Sequence, residues 1–204
     1  MLKTAPVVTF SRHRILTDGE GVTTLVCFHG CPLRCKMCIN DFTLSPDTKY
    51  TNTSPKELYD KLLPDSIYFM ATGGGVTFGG GEPLLYPEFI TEFASLVDGM
   101  WQINIETSLN VPWQSVLSVA QVADSFIIDI KTADADIYRA YTGKDNAQVL
   151  ENLKRLFEIF PADKIKVRIP LIEGYNDKAD IAKSRELLKS LGATWFDIFK
   201  YRIK

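Results

Sequence analysis

The feature that most limits how this chain can fold is a recurring order of short, almost unbroken apolar runs, each followed by a glycine-rich or polar loop and then an amphipathic stretch. Six runs are candidate strands: Thr23 to Phe28, Val76 to Phe78, Ile103 to Thr107, Ser125 to Ile130, Lys166 to Ile169 and Trp195 to Phe199. Several carry Ile, Val and Phe nearly continuously, the mark of strands buried on both faces of a parallel sheet. The stretches between them have helix-start signals. Ser54-Pro55-Lys56-Glu57 offers a cap, a first-turn proline and a glutamate placed for a capping box. Pro87 opens Glu88 to Val97, Pro112 opens Trp113 to Val122, Asn146 is placed to cap Val149 to Phe157, and Asp177 precedes Ala179 to Leu191. Strand–helix alternation of this kind builds an α/β fold. Six units are too few for the closed eightfold barrel, which takes roughly 250 residues, so the expectation is a partial (β/α)6 TIM-like barrel or a doubly wound sheet. In both, chemistry belongs in the loops that follow strands.

With 204 residues, 46% of them hydrophobic, and no linker rich in Pro, Ser or Gly, the chain reads as one domain over residues 1–204. A formal charge of −2 without a Lys/Arg cluster argues against nucleic acid or an anionic membrane as partner. No apolar run approaches a bilayer span and no cationic segment precedes an apolar signal core, so the expected location is the cytoplasm. There, four cysteines within twelve residues are metal ligands or redox groups rather than a disulfide framework.

Three of them, in Cys31-Pro32-Leu33-Arg34-Cys35-Lys36-Met37-Cys38, follow the first candidate strand directly. Thiolates this close in sequence converge only if the backbone curls around a centre, because successive side chains of an extended strand face opposite ways. An iron–sulfur cube has a suitable size; a zinc site wants four ligands, usually in two pairs. Incidental or zinc-binding cysteines are the bland alternative. Cys27 lies within the strand and is expected to be buried like an apolar side chain.

Two glycine triplets bracket the second strand in Gly73-Gly74-Gly75-Val76-Thr77-Phe78-Gly79-Gly80-Gly81-Glu82-Pro83. The segment matches no phosphate-binding pattern, and read alone it fits tight turns as well as a ligand cradle. Ile105-Glu106-Thr107-Ser108 and Ile128-Asp129-Ile130-Lys131 end later strands in polar residues. A carboxylate two residues from a lysine on a strand shares its face, as a ligand-facing pair or as an ordinary rim salt bridge.

Together, Asp18-Gly19-Glu20-Gly21-Val22, Gly30-Cys31 through Cys38, Asn40 and GGGVTFGGGEPLL closely resemble radical S-adenosylmethionine (SAM) enzymes, in particular the activases of glycyl radical enzymes, across nearly the whole chain. The resemblance implies that Cys31, Cys35 and Cys38 ligate a 4Fe-4S cluster whose fourth iron is chelated by SAM. It implies that Gly80, Gly81 and Glu82 hold the methionine amino group, with Gly79 where serine is common. Asp129 and Lys131 would position SAM and its radical product. Glu106 and Thr107 would lie near a monovalent cation and the SAM carboxylate, glutamate standing where the relatives carry aspartate. Arg168, in Val167-Arg168-Ile169-Pro170-Leu171, would neutralise that carboxylate or serve in packing. The partners implied are a glycyl radical enzyme as substrate and a flavodoxin or ferredoxin as electron donor. Modification of another peptide or a small molecule, and a non-catalytic cluster- or zinc-binding module, are the rival readings. Arg202 falls near a histidine of longer relatives, which continue into another helix. The barrel edge which that helix covers is expected to be open, covered by a partner, or covered by Val7 to Arg14.

Overall fold

The computed structural model describes residues 3–201; Arg202 lies outside them. In chain order its strands are β1 (Ala5–Ile15), β2 (Val22–Phe28), β3 (Thr51–Thr53), β4 (Gly75–Gly80), β5 (Gln102–Thr107), β6 (Ser125–Asp129), β7 (Ile165–Leu171) and β8 (Trp195–Lys200). The helices are α1 (Pro55–Leu62), α2 (Ser66–Thr72), α3 (Pro87–Val97), α4 (Trp113–Ala120), α5 (Ala135–Thr142), α6 (Ala147–Ile159) and α7 (Lys178–Ser190). One unclosed sheet has the order β3-β1-β2-β4-β5-β6-β7-β8. From β2 to β8 every neighbouring pair is parallel, which makes the six expected strands a partial TIM-like barrel. No helix among the described residues is long and apolar enough to cross a membrane.

The residues Val7 to Arg14 do not lie against the β8 edge. They belong to β1, which pairs antiparallel with β2 at the opposite side of the sheet, and β3 pairs outside it. The alternation of β1 is broken where the register shifts between Ser11 and Arg14, with His13 at φ 53°. That irregularity hides the strand from a period-two reading. Among the described residues strand β8 is an edge, with Trp195 and Ile198 exposed.

The two faces of the parallel strands differ, which corrects the expectation of strands apolar on both sides. Phe28, Val76, Phe78, Ile103, Ile105, Phe126, Ile128, Val167 and Ile169 pack with α1, α3, α4 and α6 residues in one core. The alternate positions face the barrel interior and are small or polar: Thr77, Gly79, Asn104, Glu106, Ser125, Asp129 and Arg168. A strand's side chains alternate strictly, so a sheet with a packed outer face and a ligand-facing inner one reads as apolar only where Leu25, Cys27 or Ile127 fill the inner row.

Helix starts follow the sequence signals. Ser54 and Asp177 form reciprocal capping boxes with Glu57 and Asp180. Asn146 holds the N-cap position of α6, but its side chain donates to the Ala133 carbonyl, and Asp145 accepts the Ala147 N–H instead. Helices α2 and α5 are not among the stretches singled out from sequence; α5 starts at Asp134, whose carboxylate accepts the N–H groups of Asp136 and Ile137.

Candidate functional site

The carboxyl ends of the parallel strands surround a cavity of about 350 Å³ lined by residues from nearly every loop singled out in the sequence, among them Cys31, Cys35, Cys38, Gly80, Gly81, Glu82, Glu106, Thr107, Asp129, Lys131 and Arg168. The sequence-predicted site residues therefore come together in one place. Register explains how. Asp129 lies beside Arg168, and Glu106 beside Ile127, two residues before Asp129 on the same face. Parallel pairing thus turns three side chains, distant in sequence, toward one point.

There the Arg168 guanidinium bridges two acids. Its Nε donates to Asp129 Oδ1 at 2.6 Å, and its NH2 group donates to Glu106 Oε1. Lys131 Nζ donates to the other oxygen of Asp129 at 2.9 Å. Burial opposes the charge on all three groups, yet mutual attraction outweighs it. The Asp129 carboxyl is held well below the usual carboxylate range by Lys131 and Arg168, and the Lys131 ammonium and Arg168 guanidinium are pushed up by the facing acids.

Glu82 is buried without a cationic partner among the described residues. Its Oε1 accepts from the Thr107 hydroxyl at 2.6 Å and the Leu84 N–H at 3.2 Å; its Oε2 accepts from the Ser108 hydroxyl at 2.7 Å and the Ser108 N–H at 2.9 Å. Burial raises its pKa and these neutral donors draw it back only in part. The carboxylate thus ties the segment after β4 to the loop after β5. Within that segment Gly80 adopts φ 82°, and a Cβ on Gly81 would stand 2.1 Å from the Gly30 carbonyl oxygen. Only glycine permits this approach to the cysteine loop. The first triplet has another duty: Gly73 ends α2 in the left-handed region, and Gly74 and Gly75 run too close to Val22 and Gln102 for any side chain.

The cysteine loop hangs from the end of α5. Arg34 N–H donates to the Thr142 carbonyl at 2.9 Å and Lys36 N–H to the Tyr141 carbonyl at 3.0 Å. Burial pushes the Cys31 thiol up to about 12, with Glu82 adding to it, and raises Cys35 and Cys38 against the pull of Lys131. Among the described residues no three His, Cys, Asp or Glu side chains converge on a point suited to one metal ion. The three thiols instead share the wall of a wider cavity, and such a soft, three-sulfur donor set suits an iron–sulfur cluster better than a mononuclear zinc. Cys27 is buried in β2, as expected, with its thiol raised to about 11 by burial.

Four contributors were not picked out from sequence. Ser108 gives Glu82 two of its four donors. Arg14 closes the cavity floor by donating to both oxygens of buried Asp18, each at 2.7 Å. Tyr201 lines the wall. The only available signals were the polar run Glu106-Thr107-Ser108 and the acid of Asp18-Gly19-Glu20-Gly21.

The model of the Radical SAM superfamily matches residues 25–188. The pyruvate formate-lyase-activating enzyme of Clostridium pasteurianum is 33% identical over 180 residues, covering 86% of this chain and 73% of the relative. The benzylsuccinate synthase activating enzyme of Thauera aromatica is 30% identical over 247 residues, covering 90% and 74%. The pyruvate formate-lyase 2-activating enzyme of Escherichia coli is 30% identical over 191 residues; the match takes in 78% of this chain and 64% of that enzyme's length. Among solved structures, a domain of pyruvate-formate lyase-activating enzyme from Bacteroides vulgatus aligns with a TM-score of 0.56 at 34% identity, covering 64% of this chain and 82% of that one. Streptococcus suis SuiB bound to S-adenosylmethionine aligns with a TM-score of 0.66 at 17% identity, covering 87% and 42%, a likeness of fold. The family match spans the cysteine loop, the second glycine triplet and the strand ends that carry Glu106, Asp129 and Arg168, and by it this chain belongs to the radical SAM superfamily.

Proposed function

We propose that this protein cleaves SAM reductively at a 4Fe-4S cluster and directs the resulting 5′-deoxyadenosyl radical to a backbone glycine of a partner glycyl radical enzyme. The observation that carries the proposal is the shared cavity: the three cysteines, the Gly80-Gly81-Glu82 segment and the Asp129–Lys131–Arg168–Glu106 network all border one space at the strand ends. The cluster, when bound, supplies the electron for sulfonium cleavage. The chain's own part is to hold and orient.

Cys31, Cys35 and Cys38 would ligate the cluster, giving up their protons as they do so. The main chain of Gly80 and Gly81, with Glu82 braced against Thr107 and Ser108, forms the side of the cavity for the methionine amino group. Asp129 fixes Lys131, and the two side chains would position SAM. The glycine target is favoured by the activating enzymes that this chain resembles at 30–33% identity. A flavodoxin or ferredoxin would deliver the electron, and the cytoplasm would keep the thiols reduced.

Anaerobic reconstitution with iron and sulfide, followed by reduction in the presence of SAM, tests the reading. The expected product is 5′-deoxyadenosine, abolished in Cys35→Ser. Absence of the product in the wild-type protein would leave a non-catalytic module, and full activity in the variant would overturn cleavage at a cluster held by Cys35. With a co-encoded glycyl radical enzyme present, a glycyl radical signal in electron paramagnetic resonance is expected; cleavage without that signal would favour another peptide or a small molecule as substrate.

A further inference from the structure

We infer that the Arg168 guanidinium, clamped between Glu106 and Asp129, supplies the fixed positive charge at this end of the cavity, so that SAM binding to this protein needs no monovalent cation. The inference rests on the reading of the cavity as the SAM site, and it concerns the ion that the resemblance assigns to Glu106 and Thr107.

An ion of that kind needs oxygen ligands that point at a common centre and are not already engaged. Glu106 and Thr107 do not supply a converging pair. As neighbours on a strand they face opposite ways: Glu106 turns into the barrel and accepts from Arg168, while the Thr107 hydroxyl donates to Glu82 and accepts the Leu109 N–H at 2.9 Å. The remaining acids of the cavity are also engaged. Asp18 is paired with Arg14, Asp129 with both Lys131 and Arg168, and Glu82 accepts four hydrogen bonds. Arg168, Lys131, Glu106 and Asp129 form two cations against two acids, a set balanced within itself.

Sequence departures fit this arrangement. A Cβ on Gly79 would stand 3.2 Å from Glu106 Cβ and 3.1 Å from Leu25 Cδ1, so glycine at that position leaves room for the longer acid to reach Arg168. The guanidinium spends its Nε and one NH2 contact on the two acids, and among the described residues its other N–H groups have no partner, leaving them to an anionic ligand. Arg168 is in this sense a binding residue, oriented by its acids and not merely packed among them.

Equilibrium binding of SAM to the reconstituted, unreduced protein tests this without turnover. Replacing potassium or sodium by tetramethylammonium at constant ionic strength should change wild-type affinity by less than about twofold; a loss of about tenfold, the 1.4 kcal/mol of one lost ion contact, would overturn the inference. Arg168→Met should bind SAM about tenfold or more weakly in tetramethylammonium and recover most of that in potassium, whereas Arg168→Lys should keep cation independence. If Arg168→Met binds as tightly as wild type in both salts, Arg168 is not the counter-charge and the inference fails. Should Arg168→Met not fold, the wild-type series and Arg168→Lys decide. Failure to form 5′-deoxyadenosine sinks the functional proposal, while cation-dependent SAM binding sinks this inference alone.

Discussion

The outer and inner faces of the same six parallel strands follow different rules. Outward, Phe78 sits within a ring of aromatics, stacked on Phe28 with centroids 5.6 Å apart and edge-on to Phe93 at 5.3 Å. One residue further along each strand, the inner face places Glu106, Asp129 and Arg168 in a charged network beside a cavity. The outer face is held by area and shape, which tolerate replacement by apolar residues of like volume. The inner face is held by pairing, and removing one member strands another. Adjacent positions of one strand thus answer to different forces.

The largest stability effect should come from the outer face. Phe78→Ala is expected to cost about 3–5 kcal/mol in denaturant unfolding, while the folded fraction keeps wild-type SAM affinity; a matching loss of affinity would show the faces to be coupled. On the inner face, Asp129→Ala should cost about 3 kcal/mol, because Lys131 and Arg168 lose their shared acid, and SAM binding should fall with it.

Two inner acids sharpen the contrast through pH. Glu82 has its pKa raised above the ordinary 4.5 by burial, so its ionisation weakens the fold progressively as pH rises beyond that value. Asp129 is depressed below the ordinary 3.8, so its contribution is complete above that value and lost only in more acidic solution. As pH rises above the ordinary carboxylate value of 4.5, Glu82→Gln should gain stability relative to wild type, whereas the difference between Asp129→Asn and wild type should stay level. Identical pH slopes for both variants would refute the opposed shifts. The smallest change, Ser108→Ala, should cost about 1 kcal/mol by removing one donor to Glu82, measurable as a shift in denaturant midpoint at constant slope.

The same division governs what could be read from the sequence. Apolar periodicity and caps such as Ser54 and Asp177 reveal the parallel strands and most helices because these signals are local. Strand β1 escaped as a strand because its bulge at His13 breaks the alternation, and α2 because Ile67, Tyr68 and Met70 are exposed, giving it no buried stripe. The cysteines and the glycine segment were legible from spacing. The Arg168 bridge was not, since it depends on the register of β6 against β7 and of β5 against β6. Nothing in the residues near Arg168 names Glu106 as its partner.

The two main-chain hydrogen bonds that hang Arg34 and Lys36 from the end of α5 also bear on how the molecule assembles. The cysteine loop is made early in synthesis, but the carbonyls of Tyr141 and Thr142 that fix it emerge only after β6. Contacts of such long sequence separation carry a large loop-closure cost. The cysteine loop is therefore pinned only once the chain through α5 has been made.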